Sequence, residues 1–230
     1  LKNSYSIITS KDLNFKKVNG IILNKHEGQI DTSLMMTNLI AMAQNLGIVI
    51  LNNISVSKIN GHKNSVELIS DYGIFKASKV VVATNGFAKQ LLNLPDVQPA
   101  RAQVLITKPI KNLKIKGTFH YQQGYYYFRN IDNRILFGGG RNLDIKRETT
   151  TKAELNIKIQ KQLDHLLKEM ILPGVSFEVD QRWSGIMGVG SEKKPIIKLV
   201  DQNVLAAVRM GGMGIAIGSL VGEQAAKEID

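Results

Sequence analysis

The 230 residues, 43% of them hydrophobic, suffice for one large or two small compact domains with a real core. The absence of cysteine excludes disulfides, thiolate metal sites and cysteine nucleophiles, and no stretch reaches the roughly 20 apolar residues of a membrane span. The net charge is +11, but the basic residues stand singly or in pairs such as Lys16-Lys17 and Lys193-Lys194, which describes a basic surface and not a nucleic-acid arm. A soluble, cytoplasmic protein is expected, with no nucleic-acid partner.

In chain order, residues 31–46 carry Leu34, Met35, Leu39, Met42 and Leu46 at helical spacing, with Asp31 or Thr32 as cap and Gly47 just past the end. The apolar run 48–51 predicts a strand. Residues 55–59, 65–70 and 74–78 predict a small antiparallel meander, with turns at Asn60-Gly61 and Asp71-Tyr72-Gly73. The β-branched run 79–83 predicts a strand buried on both faces, ending at Thr84-Asn85-Gly86. Strands follow at 101–108, 117–121, 125–129 and 134–137, the last two joined by Asp132-Asn133. Residues 152–170 predict a helix with Leu155, Ile159, Leu163 and Leu166-Leu167 on one face. Strands return at 176–184, 195–200 and 204–208. After the turn Met210-Gly211-Gly212-Met213-Gly214, a closing helix presents Ile217, Leu220-Val221, Ala225 and Ile229.

Two strand-to-glycine junctions carry the chemistry. Val80-Val81-Val82-Ala83-Thr84-Asn85-Gly86 ends a strand at small residues, and ligands of open α/β sheets bind at the carboxyl ends of strands. An ordinary strand-to-helix turn also explains it. At the second, Gly211, Gly212 and Gly214 lie between a buried strand and an amphipathic helix, whose start offers free N–H donors and a positive dipole end. Phosphate, or the electron-rich edge of a reduced flavin, suits such a place; a tight turn alone is the other explanation. His26, His62, His120 and His165 show no ligand spacing, and no metal site is expected.

The motifs resemble a family when taken together. They are Gly28-Gln29-Ile30-Asp31, Val80 to Phe87, Pro99-Ala100-Arg101-Ala102-Gln103-Val104, Gly124-Tyr125-Tyr126-Tyr127-Phe128-Arg129, and Leu136-Phe137-Gly138-Gly139-Gly140-Arg141. Trp183-Ser184-Gly185 and Gly211-Gly212-Met213-Gly214 complete the order. From about Gly28 to the C-terminus this resembles the D-amino-acid oxidase superfamily of FAD-dependent oxidoreductases, most of all its γ-glutamylputrescine oxidase-like branch.

The resemblance implies an α/β (α+β) fold. Residues 1–96 and 201–230 would form an incomplete Rossmann-like FAD-binding domain, and residues 97–200 an antiparallel-sheet substrate domain with a helix packed on it. The family's strand–GxGxxG–helix unit and ribose-binding acidic residue do not occur in the sequence, which begins at Leu1. The chain is therefore expected to be the C-terminal part of such an enzyme, and not to hold an intact FAD alone.

By the same resemblance, the cofactor would meet Val56, Ala83, Thr84, Gly86, Trp183, Gly185, Gly211, Gly212, Met213 and Gly214. Tyr125, Tyr127 and Arg129, on one face of a strand by period two, would line the substrate pocket with Met187. In glycine oxidase-like relatives the position of Met187 is an arginine that clamps the substrate carboxylate. A thioether cannot make that bidentate bond, which favours a longer amine held by apolar contacts. The implied reaction passes a hydride from the carbon beside the amine nitrogen to flavin N5, with oxygen or a quinone as final acceptor; no side-chain catalyst is expected. The alternatives are a non-catalytic fragment that keeps the substrate-domain fold and, more remotely, a basic nucleic-acid-binding domain.

Overall fold

The computed structural model describes residues 4–9 and 13–230. In chain order the elements are β1 (Tyr5–Ile8), β2 (Ile21–Asn24), α1 (Thr32–Asn45), β3 (Val56–His62), β4 (Ser65–Ser70), β5 (Gly73–Ala77), β6 (Val80–Val82) and the short α2 (Ala88–Leu91). Then come β7 (Gln98–Thr107), β8 (Thr118–Tyr121), β9 (Tyr126–Ile131), β10 (Arg134–Gly139), α3 (Ile157–Leu166), β11 (Val179–Val189), β12 (Ile196–Asp201), β13 (Val204–Val208) and α4 (Gly214–Ile229). Among the described residues, no helix is long and apolar enough to cross a membrane.

The chain forms two compact units. One comprises the described residues of Leu1–Asp31 with Ala102–Glu148 and Ala153–Gly185; the other comprises Thr32–Arg101, Thr149–Lys152 and Ile186–Asp230. Two of the boundaries fall inside strands, at Arg101/Ala102 in β7 and Gly185/Ile186 in β11.

The first unit is built on a sheet of order β11-β7-β10-β9-β8, in which β7, β10, β9 and β8 pair antiparallel. Alternation along β9 and β10 turns Tyr126, Phe128, Ile135 and Phe137 into the core, where Ile159, Leu163 and Leu166 of α3 meet them. The rings interlock edge-on, with Phe128 and Phe137 centroids 6.0 Å apart at 89°. Each such fully buried side chain contributes about 1.5–3 kcal/mol.

The helix expected over 152–170 starts later. Asn156 accepts hydrogen bonds from the amides of Lys158 and Ile159, a side-chain N-cap. Leu155 is exposed ahead of it. Asn156 is fixed there because its amide donates to Glu148 (2.8 Å) and its backbone N–H donates to Gln103 (3.2 Å), within a buried polar network. The helix finishes in a π turn, Leu167–Ile171.

The second unit contains the meander β3-β4-β5 and a sheet of order β12-β13-β6. Asn60 and Gly61 lie inside β3, and the hairpin turns at Lys63-Asn64 instead. A Cβ on Gly61 would meet only the carboxylate end of the Asp201 side chain, which can turn aside. β6 is buried on one face only: Val82 is enclosed, whereas Val81 is 41% exposed. Residues 48–51 form no strand, because no neighbour among the described residues completes a ladder; Val49 is 80% exposed. α1 forms where its spacing predicts, but none of its residues is buried.

Candidate functional site

β13 runs parallel to β6, pairing Val204 with Val80 and Ala206 with Val82. Parallel pairing brings the carboxyl ends of both strands to the same edge. The 83–86 and 209–214 turns therefore emerge side by side, at the place where open α/β sheets bind ligands. The end of β11 passes beside them.

Backbone contacts fix this junction. Asn85, in the left-handed region at φ 46°, accepts a hydrogen bond from the Met210 amide (3.1 Å), and the Gly211 amide donates to the Gly188 carbonyl (2.9 Å). A Cβ on Gly86 would lie 2.5 Å from the Met187 carbonyl, and one on Gly188 would lie 2.5 Å from Asn85 Oδ1. These two glycines are required by the approach of strand to turn.

The 211–214 turn differs. Gly211 (φ 57°) and Gly212 (φ 85°) need glycine for their backbone angles, yet a Cβ on Gly211 would meet nothing and one on Gly212 only Met187 Sδ at 3.3 Å. Gly214 has neither a positive φ nor crowding, since its nearest neighbour would be Met210 Cβ at 3.8 Å. The fold itself does not call for glycine there. α4 begins at this residue with Met213 as N-cap and no side-chain cap. Among the described residues, the amides of Gly212, Gly214 and Ile215 have no hydrogen-bond acceptor. Bare backbone, free donors and the positive end of a 16-residue helix therefore coincide. That donor set fits an anionic or electron-rich planar edge laid against the turn.

Ala83 and Thr84 are exposed at the end of β6, and Met213 is exposed at the start of α4. Val56 stands at the first position of β3, opposite Ser70, beside a bulge. The structure brings 84–86, 187–188 and 210–212 together in one unit. Trp183 and Gly185 belong to the other unit, on the part of β11 where Ser184 Oγ is buried without a hydrogen-bond partner.

Tyr127 lies on the β9 face opposite the core residues Tyr126 and Phe128, whereas Tyr125, expected in the same strand, sits in the turn before β9 and is exposed. The Tyr127 ring covers Gly138, where a Cβ would come within 2.9 Å of it. Burial raises the Tyr127 pKa, so its hydroxyl stays a neutral donor. Arg129, on the same face, donates to the Ile30 carbonyl at 3.0 Å. The guanidinium is thus partly engaged by the chain itself.

Sequence reasoning missed two residues at the junction. Arg209, in the left-handed region at φ 66°, is only 6% exposed and pairs with Asp96. Asp96 accepts from the Ser191 amide (2.8 Å) and hydroxyl (3.0 Å). Those bonds, with Arg209, hold its pKa below the ordinary aspartate value. The only sequence signal was an arginine between a buried strand and a glycine turn, which spacing alone does not interpret.

A model of the FAD dependent oxidoreductase family matches residues 7–228. Over 80 residues the chain is 34% identical to the bifunctional protein ThiO/ThiG of Synechocystis sp. (strain ATCC 27184 / PCC 6803 / Kazusa), an alignment covering 34% of this chain and 12% of that protein. The fold is similar to glycine oxidase from Bacillus cereus ATCC 14579 (TM-score 0.82, 15% identity) and L-proline dehydrogenase from P. horikoshii (0.78, 19%). Each alignment covers 98% of this chain and 64% of the other, so the chain spans about two thirds of these structures.

Proposed function

Because the chain belongs to the FAD-dependent oxidoreductase family, we propose that it supplies the flavin-edge seat and substrate-facing sheet of an enzyme that oxidises the C–N bond of an amine or amino acid. The observation that carries this reading is the bare start of α4. The amides of Gly212, Gly214 and Ile215 have no acceptor among the described residues, and they lie in a turn where Gly214 has no positive φ and no crowding that requires glycine. When bound, the flavin supplies N5 as the acceptor of a hydride from the carbon next to nitrogen, leaving an imine that water hydrolyses.

This chain's residues provide placement and electrostatics. The three free amides and the α4 dipole would hold the pyrimidine edge of the isoalloxazine and would favour negative charge there. Ala83 and Thr84, small and exposed, leave room for the ribose and pyrophosphate at the end of β6, and Val56 offers its backbone to the adenine. On the sheet unit, Tyr125 and Tyr127 form an aromatic wall, and Arg129 retains guanidinium donors beyond the one given to Ile30. Met187 provides an apolar surface and no carboxylate clamp, which favours a longer amine over a simple α-amino acid. Oxygen or a quinone takes the electrons onward.

The test is titration with FAD of the full-length enzyme, in which a strand–GxGxxG–helix segment accompanies this chain, followed by anaerobic mixing with amines that do and do not carry an α-carboxylate. Flavin uptake, then bleaching by amines lacking the carboxylate, is expected. Absence of flavin uptake would remove the seat. Bleaching only by simple α-amino acids would overturn the assignment of Met187.

A further inference from the structure

A second device adjoins the glycine turn. Arg209 is the residue that leaves buried β13 and enters the turn, and it adopts φ 66°, a conformation that glycine takes without strain and arginine does not. Its side chain is buried, while that of its partner Asp96 is exposed. One guanidinium nitrogen pairs with Asp96, another lies 3.7 Å from Glu192, and Nε donates to the Lys194 carbonyl at 2.8 Å. Asp96 is held in turn by the amide and hydroxyl of Ser191. The loop must run close by: a Cβ on Gly190 would lie 2.6 Å from Arg209 Cδ. Three successive residues are thus tied down, Arg209 by Asp96, Met210 by Asn85 and Gly211 by the Gly188 carbonyl. Beyond them the Met213 amide donates to the Met210 carbonyl (2.8 Å), and the amides of Gly212, Gly214 and Ile215 have no acceptor among the described residues.

We infer that the Asp96–Arg209 pair is a positioning latch that fixes the 209–214 turn in its flavin-receiving shape before the cofactor arrives. The inference rests on the reading of that turn as the flavin seat. A rotamer-rich arginine in a strained backbone is costly where glycine would serve, so its worth lies in what its fork holds. The planar fork reaches three separate groups, where a lysine would act as a single point charge. Pre-organising the turn removes an ordering cost from binding, and the pair itself touches neither flavin nor substrate.

The test combines two variants with two readouts on that same full-length enzyme. Asp96→Asn leaves the Arg209 backbone intact and removes the charge; Arg209→Gly relieves the strained angle and removes the fork. Amide hydrogen exchange, measured without flavin, should accelerate about tenfold over 210–216 in both, while β13 and the meander stay protected. The dissociation constant for added FAD should rise about tenfold in both. The double variant should be no worse than Arg209→Gly alone, because the two residues act through one another. Unchanged exchange over 210–216 in Asp96→Asn would overturn the latch, as would additive effects in the double variant. Faster exchange with unchanged FAD affinity would overturn its role in flavin reception. Should the wild-type full-length enzyme take up no FAD, the seat reading fails by itself, and the exchange data alone decide whether the latch exists.

Discussion

α3 and α1 are both legible as helices from the spacing of their apolar residues, yet they have opposite outcomes. α3 sets Ile159, Leu163 and Leu166 into a core of interlocked aromatic rings. α1, in the other unit, carries Leu34, Leu39, Ile40 and Met42 with none buried, and the apolar stretch 48–51 after it is exposed as well. The difference teaches that periodicity states which residues are able to bury. Only a neighbour decides whether they contribute.

The sharpest way to break the comparison is truncation in each helix environment. Phe137→Ala removes a fully buried ring between Tyr126 and Phe128, and should cost about 3–5 kcal/mol in denaturant unfolding. Leu39→Ala on α1 should cost less than about 0.5 kcal/mol in this chain. Equal costs would mean that α1 is packed after all. Between these extremes lies Asn156→Ala. It removes the α3 cap and strips Glu148 of a buried donor, at about 2–4 kcal/mol. Restoring half of that with Asn156→Asp would be surprising, since a second carboxylate would face Glu148.

Much of the fold was legible for the same reason that α3 obeyed its pattern. The meander, the β9–β10 hairpin at Asp132-Asn133, β13 and α4 all have sequence neighbours that complete their pairing or packing. What escaped reading depended on distant partners. Residue 156 starts α3 because Gln103 and Glu148 hold it. At the candidate site the glycines were visible, but their reasons were not. Gly86 and Gly188 answer to neighbouring chain, whereas Gly214 answers to nothing in the described residues. Asp96 and Arg209, 113 residues apart, show no joint signal in the sequence.

The smallest effect expected concerns pH. Asp96 has a folded pKa below its ordinary value, so its stabilising contribution is complete above the ordinary pKa and is lost as pH falls through the lowered one. The stability gap between wild type and Asp96→Asn should be flat from about pH 5 to 8 and close only below about pH 4. A gap that instead changed near neutrality would place the titrating group elsewhere.

The most direct test of the account is Gly214→Ala. The first residue of α4 has room for a methyl group and no backbone angle that forbids one, so the variant should be as stable as wild type or more stable by up to about 1 kcal/mol. If the turn receives the flavin edge, the same methyl stands in the cofactor's place, and the FAD affinity of the full-length enzyme should fall at least about tenfold, roughly 1.4 kcal/mol. Stability kept with affinity lost is the predicted result. An equally stable Gly214→Ala protein with wild-type FAD affinity would contradict the assignment of this turn.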